Sequence, residues 1–268
     1  MNAHSIPEAF EAIAQRLLAA SRPLAMEHFR TSLNVELKAD SSPVTIADRA
    51  IEQSMKAVLQ DACPDHGILG EEFGLSGNDA RHLWVLDPID GTKSFISGVP
   101  LFGTLIALLE EKRPVLGVID MPALGETWIG QSGKETRLNG VTCHTSNTTN
   151  LENAVLFATS PDQFTPVEYH AFEALGHNCA SRRFGGDCYS YGLLASGHID
   201  LILEAELQPY DFMALVPVVT GAGGVITDWQ GGQLTLQSSG RVLAAATPEL
   251  HKAALERIAK SECVDPRA

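Results

Sequence analysis

An apolar run, Trp84-Val85-Leu86, ends abruptly in Asp87-Pro88-Ile89-Asp90-Gly91-Thr92, so two aspartates three residues apart follow what reads as a buried strand. Proline lacks an amide hydrogen and has a fixed φ, so Pro88 is expected to stop the strand and turn the chain. Both carboxylates can then converge at the carboxyl end of a strand, where α/β folds place their ligands. Gly91-Thr92 allows close backbone approach and opens a helix whose N–H groups and dipole suit a phosphate. Two carboxylates and the intervening carbonyl are hard oxygen ligands of the kind Mg²⁺ takes. Taken alone, the same residues could also do no more than cap a turn.

Two further acidic features accompany it. Gly70-Glu71-Glu72-Phe73-Gly74 follows the short apolar Ile68-Leu69, and paired glutamates are usually a solvated face. In Gln208-Pro209-Tyr210-Asp211 an aspartate opens an apolar helix after a proline turn, which by itself reads as an ordinary N-cap.

The first half of the chain begins with helical patterns. Ser5-Ile6-Pro7-Glu8 has the form of a capping box, and Phe10, Ile13, Leu17 and Leu18 follow at helical spacing, with Pro23 expected to end or kink that helix. Thr45-Ile46-Ala47-Asp48 opens a second helix with the stripe Ile51, Met55, Val58 and Leu59, stopped by Pro64-Asp65-His66-Gly67. Strands are expected over Leu83 to Leu86, Leu101 to Leu109, Val115 to Ile119 and Thr127 to Ile129, and Asn139-Gly140 is a hairpin turn signal.

In the second half strand and helix alternate, the mark of an α/β layer. Strands are expected at Ala154 to Ala158, Ile199 to Glu204, Val225 to Asp228 and Val242 to Ala246. Helices are expected at Val167 to Leu175, Tyr189 to Ala195, Phe212 to Thr220 and Pro248 to Ala259. A boundary near Ser146 to Asn150 would divide an α+β half, 1–150, carrying the acidic motifs from an α/β half, 151–268, completing the site.

Composition excludes several classes. With 19 Lys and Arg against 33 Asp and Glu the net charge is −14, which opposes direct binding to nucleic acid or an anionic membrane. An anionic small substrate needs local neutralisation, most simply by a divalent cation. The longest apolar runs fall far short of the roughly 20 residues that span a bilayer, and no targeting signal is visible. Cys63, Cys143, Cys179, Cys188 and Cys263 are an odd set without a CxxC, which fits a reducing cytoplasm better than zinc or a disulfide framework. The nine histidines have no HExxH-type spacing.

Taken together, Gly70-Glu71-Glu72, Asp87-Pro88-Ile89-Asp90-Gly91-Thr92, and Tyr210-Asp211 followed by a helix and Gly221-Ala222-Gly223-Gly224 resemble the motifs of the inositol monophosphatase superfamily. The match runs from Lys38 and Val44-Thr45-Ile46-Ala47-Asp48 to about Asp228. Asp90-Gly91-Thr92-Lys93-Ser94-Phe95, Gly186-Asp187-Cys188-Tyr189 and Tyr210-Asp211-Phe212-Met213-Ala214-Leu215 look most like the histidinol-phosphate phosphatase branch. The resemblance implies a layered αβαβα sandwich of the inositol monophosphatase and fructose-1,6-bisphosphatase type, a homodimer, and a Mg²⁺-dependent phosphate monoester hydrolase.

It also implies residue roles. Glu71, Asp87 and the Ile89 carbonyl would hold one Mg²⁺, and Asp87, Asp90 and Asp211 a second, with a third ion possible in the family and Li⁺ expected to inhibit. Thr92 with Asp48 would orient the attacking water and take its proton, Glu71 serving beside them, and the Gly91 and Thr92 N–H groups would receive the phosphate. No phosphoenzyme is implied. Gly186, Asp187 and Glu204 would line the side of the pocket facing the leaving alcohol, with acidic Asp187 and Glu204 complementary to the cationic L-histidinol phosphate of histidine biosynthesis. Asp187 could instead cap the following helix, Glu204 could be an exposed strand end, and Arg182-Arg183 could be a phosphate clamp, although paired arginines on a turn are more often a solvated or subunit-interface feature.

Inositol-1-phosphate phosphatase, 3′(2′),5′-bisphosphate nucleotidase and fructose-1,6-bisphosphatase share the metal motif and are the alternative enzyme readings, and a reading of another class is a regulatory partner of transcription or ribosome assembly, as some members of the superfamily are. Other phosphatase designs are absent from the sequence. There is no D-x-D of an aspartyl-phosphate enzyme at the acidic motif, no cysteine followed six positions later by arginine, and no Walker A pattern. The sole Arg-His pair, Arg81-His82, lacks the glycine of the histidine-phosphate type.

Overall fold

The computed structural model describes residues 8–31, 35–37, 43–77 and 80–262, so Ser5 of the expected capping box, Lys38 and Cys263 lie outside the described residues. Helix α1 (Glu8–His28) is followed by the short pair β1 (Val35–Leu37) and β2 (Pro43–Thr45) and by α2 (Ile46–Ala62). Next come β3 (Gly67–Gly70), β4 (Gly74–Ser76), β5 (His82–Asp90), the short α3 (Thr92–Ile96), β6 (Gly103–Glu110), β7 (Arg113–Met121), β8 (Glu126–Gln131), β9 (Arg137–Leu138) and β10 (Val141–Thr142). These strands form one eight-stranded sheet in the order β10-β9-β8-β7-β6-β5-β3-β4. It is antiparallel except where β3 runs parallel to β5.

The second sheet has five strands: β11 (Val155–Ala158), β12 (Ser181–Phe184), β13 (Leu201–Glu204), β14 (Val225–Thr227) and β15 (Val242–Ala245), ordered β12-β11-β13-β15-β14. Between them lie α4 (Pro166–Gly176), α5 (Cys188–Ala195), α6 (Pro209–Phe212) and α7 (Leu215–Gly221), and α8 (Pro248–Glu262) follows.

Three apolar clusters set the layers. Alternation along β5 sends Trp84 and Leu86 to one face, where Leu17, Leu18, Ile51, Met55 and Leu59 of α1 and α2 meet them. Val85 faces the other way, into a cluster with Tyr191, Leu194, Leu215 and Val218 of the middle helices and with Ile202, Val242 and Ala244 of the second sheet. The far face of that sheet, Leu201, Leu203 and Leu243, packs on Phe172, Leu175, Leu250 and Ile258. The result is the expected αβαβα sandwich, an α+β fold.

Local expectations differ at four places. Of the two outcomes expected at Pro23, an end to the helix is excluded, since Pro23 lies inside α1; Pro23 and Ala19, whose carbonyl loses its amide partner, are both exposed, so water can take that acceptor. Strand β5 continues through Pro88 to Asp90, because the β5–β6 register shifts between Asp87 and Asp90 and the bulge needs no N–H from proline. The helix expected over Phe212 to Thr220 is two helices, since Pro217 has no N–H to offer Met213. Arg182 and Arg183 sit on edge strand β12, not on a turn. The Asn139-Gly140 turn does join β9 to β10, with φ of 49° and 84° as such a hairpin requires.

Candidate active site

The bulge in β5 replaces the expected proline stop as the device that turns Asp87 and Asp90 to one side. The Pro88 carbonyl within it accepts from the Thr104 hydroxyl at 2.9 Å. Glu71 occupies the turn between β3 and β4, and its N–H donates to the Leu86 carbonyl at 3.2 Å, which seats the turn against β5. Asp211 belongs to α6, where one of its oxygens accepts from the Gln208 N–H at 2.7 Å. The α6–α7 segment lies close on β7 and β8. A Cβ at Gly117 would fall 2.0 Å from the Ala214 carbonyl oxygen and one at Gly130 2.3 Å from that of Pro217, so only glycine permits the approach.

One carboxylate oxygen from each of Asp87, Asp90 and Asp211 lies within 4.8 Å of the others. They face a cavity of about 410 Å³ whose wall also includes Glu71, Ile89, Gly91, Thr92, Asp187 and Glu204. Asp48 lies behind the wall at the head of α2, 1% exposed.

This concentration of buried acid raises the carboxyl groups. Burial pushes Asp87 well above the ordinary aspartate range, reinforced by repulsion from Glu71, Asp90 and Asp211. Burial carries Asp90 up to about 7, with Asp211 adding to it and the Cys188 N–H, 2.6 Å away, opposing. Asp211 rises to about 8, again mainly by burial, and Asp48 to about 6 against the hydrogen bonds from Thr45. Asp87 Oδ1 and Asp48 Oδ1 are buried without a hydrogen-bond partner. Orphaned, mutually repelling oxygen donors with no nitrogen or sulfur among them suit a hard divalent cation, and Mg²⁺ fits this donor set.

The remaining expected residues are placed unevenly. The Thr92 hydroxyl donates to the Ile89 carbonyl at 3.1 Å, while Asp48 Oδ2 accepts from the Thr45 N–H and hydroxyl at 2.8 and 2.6 Å. Gly91 has φ of +81°, and α3 beyond it has only five residues, so the turn offers N–H groups rather than the dipole of a long helix. Asp187 stands at the N-cap position of α5 but caps nothing; it has φ of +46° and accepts from the Ser94 hydroxyl at 3.3 Å. Burial, with Asp90 and Glu204 nearby, carries Asp187 up to about 8.

Glu204 is no exposed strand end, being 2% exposed. Its carboxylate accepts from the Thr159 N–H at 2.9 Å, from the Thr159 hydroxyl and from the Tyr191 hydroxyl at 2.7 Å. Gly186 stays out of the wall, which takes Gly185, Asp187 and Cys188 instead. Wall residues that sequence reasoning missed include Lys93, Ser94, Thr159, Ser160, Gln163 and Tyr191. One signal was available: Ser160-Pro161-Asp162-Gln163 spells a capping box, and that box forms.

Residues 7–262 match the model of the inositol monophosphatase family. The chain belongs to that family. It is a phosphatase of this group, whose members are generally Mg²⁺-dependent. Bifunctional phosphatase IMPL2, chloroplastic, from Arabidopsis thaliana is 44% identical over 258 residues, covering 93% of this chain and 75% of that protein. A histidinol-phosphatase from Chlorobaculum parvum is 38% identical over 236 residues, 87% of this chain and 90% of its own. Among solved structures, an inositol monophosphatase from Zymomonas mobilis superposes with a TM-score of 0.88 at 45% identity, covering 96% of this chain and 100% of that one. The family is thus common to these relatives, while their named substrates differ. No described helix is long and apolar enough to cross a membrane.

Proposed function

We propose that this family member hydrolyses L-histidinol phosphate, and that Glu71, Asp87, the Ile89 carbonyl, Asp90 and Asp211 would hold two Mg²⁺ ions, Asp87 serving as a ligand in both sets. The observation that carries the substrate assignment is Asp187, a half-buried carboxylate that caps no helix and is turned into the cavity wall beside Glu204. Asp187 holds its proton up to about pH 8 in the free site, and an ammonium placed beside it favours the ionised form, so this wall favours a leaving group bearing an ammonium and an imidazole over the neutral hydroxyls of inositol. The names of relatives such as the Chlorobaculum parvum histidinol-phosphatase agree with this reading.

When bound, Mg²⁺ supplies Lewis acidity and lowers the pKa of water. The chain's own residues do the rest. Asp48, titrating near 6, accepts a proton at neutral pH, and its unpartnered Oδ1 is the atom available for it. Thr92 orients the attacking water through its hydroxyl, and the Gly91 and Thr92 N–H groups receive the phosphate oxygens. The phosphoryl group passes directly to water, so no side chain is phosphorylated. Asp187 and Glu204 hold the cationic end of the substrate and so fix the leaving oxygen.

The same reading takes the working form as a homodimer. Free thiols at Cys63, Cys143, Cys179 and Cys188 suit a reducing compartment such as the cytoplasm. The test is twofold: phosphate release from histidinol phosphate that requires Mg²⁺ and stops with chelator, and growth of a histidine auxotroph lacking histidinol-phosphate phosphatase when this chain is expressed. Failure of both, with a folded protein, would overturn the assignment.

A further inference from the structure

Helix α2 approaches the Glu71 turn with successive residues of one face. Asp48 stands nearest the cavity, Glu52 follows one turn later, and Lys56 another turn on places its ammonium 4.8 Å from the centroid of the Phe73 ring. Glu52 is wholly buried, yet it belongs neither to the cavity wall nor to the acidic cluster. Its Oε2 accepts from the Glu72 N–H at 2.7 Å and its Oε1 from the Phe73 N–H at 3.2 Å, the two amides that follow Glu71. The carboxylate also lies flat on Gly70, the residue before Glu71, where a Cβ would fall 1.8 Å from Glu52 Oε1. Glu52 therefore touches the backbone on both sides of Glu71.

We propose that Glu52 is a positioning residue, whose buried carboxylate clamps the Gly70-to-Phe73 turn and so fixes the direction in which Glu71 presents its oxygens to metal. The inference rests on the reading of Glu71 as a Mg²⁺ ligand. A free β3–β4 turn could point Glu71 in many directions, and holding one of them before metal arrives removes that ordering from the binding step. An acceptor for two adjacent N–H groups is needed for this, and a carboxylate is the side chain that supplies two acceptors with no donor. Glutamine would turn an NH₂ toward one of those amides and release it. Gly70 is the complement of the clamp, because any side chain there would displace Glu52.

The test is calorimetric titration of Mg²⁺ into the full metal-free protein, for wild type, Glu52→Gln and Glu71→Gln, with Mg²⁺ activation curves of phosphate release alongside. Loss of such an outer partner typically weakens metal affinity by about tenfold or more. Glu52→Gln is expected to raise the Mg²⁺ dissociation constant by about that factor, with activity regained as Mg²⁺ is raised. A merely structural role would lower the melting temperature and leave the dissociation constant alone, and that result overturns the proposal. Unchanged affinity in Glu71→Gln would instead overturn the ligand reading beneath it. Should Glu52→Gln fail to fold, Gly70→Ala disturbs the same contact from the other side and is read by the same two outcomes.

Discussion

Asp87→Asn should stabilise the metal-free protein while abolishing turnover. Asp87 is 2% exposed, has one oxygen without a hydrogen-bond partner, and presents its carboxylate within 4.8 Å of those of Asp90 and Asp211. At an effective dielectric of about 20, two full charges at that separation repel by about 3.5 kcal/mol. The raised pKa values mean that the cluster keeps part of its protons near neutrality, so the relief on removing one charge is a fraction of this, about 1–2 kcal/mol. For a chain of this size that corresponds to a rise in melting temperature of roughly 2–8 °C. Mg²⁺ at about a hundred times its dissociation constant should stabilise wild type by about 2.7 kcal/mol. The variant, lacking the shared ligand, should show little of that shift. Thermal melts at pH 8 in chelator and in Mg²⁺, with phosphate release measured on the same samples, read all three effects. A variant that melts below wild type in chelator, or keeps the full Mg²⁺ shift, would refute the reasoning.

Protons should compete with Mg²⁺. Asp48, Asp90 and Asp211 titrate near 6, 7 and 8 when folded, against about 4 for an ordinary aspartate. Their folded pKa values are raised, so the stability they permit below about pH 4 is lost as pH climbs toward 8, and metal affinity rises over that range. The Mg²⁺ concentration for half-maximal activity should therefore increase on going from pH 8 to pH 6, and a constant value would contradict these assignments. Glu204→Gln should reduce turnover of histidinol phosphate more than that of a neutral phosphomonoester. It should also lower activity on both, because an NH₂ facing Tyr191 or Thr159 breaks one bond at about 1–3 kcal/mol; equal losses would remove its role as a cation partner. Arg22 pairs with buried Asp120 at 2.6 Å, so Arg22→Ala should cost about 2–3 kcal/mol in denaturant melts, less than a fully buried pair because Arg22 is 41% exposed. Its Mg²⁺ activation curve should be unchanged.

What the sequence made legible follows from how local each signal is. Helix α2 announces itself through Thr45 and Asp48, which form the capping box, and through the stripe Ile51, Met55 and Leu59, which is buried. The acidic motifs could be found because Asp87, Asp90 and Asp211 each lie within two residues of a proline that marks a change of backbone direction. Prolines also misled two element boundaries. Pro88 reads as a stop, but a strand that gains a bulge absorbs the missing N–H, and this depends on the β6 partner rather than on β5 itself. Pro23 is tolerated because its side of α1 faces water. Strand β12 carries Ser181, Arg182 and Arg183, an edge-strand composition with no apolar alternation to detect.

Glu52 was hidden for a different reason. A glutamate one turn after Asp48 looks like any exposed helix residue until the fold brings the Gly70 turn over it. The turn of Asp187 into the cavity wall is of the same kind, since only the structure distinguishes an N-cap from a residue at that position whose side chain bonds Ser94 instead.

The substrate assignment is tested most directly by the ratio of kcat/KM for histidinol phosphate to that for inositol-1-phosphate, measured at saturating Mg²⁺ for wild type and Asp187→Asn. The acidic wall predicts a wild-type ratio well above one, by about tenfold or more for one desolvated charge pair, and a ratio that falls toward one in the variant. A wild-type ratio at or below one, or a high ratio that Asp187→Asn leaves untouched, would contradict it.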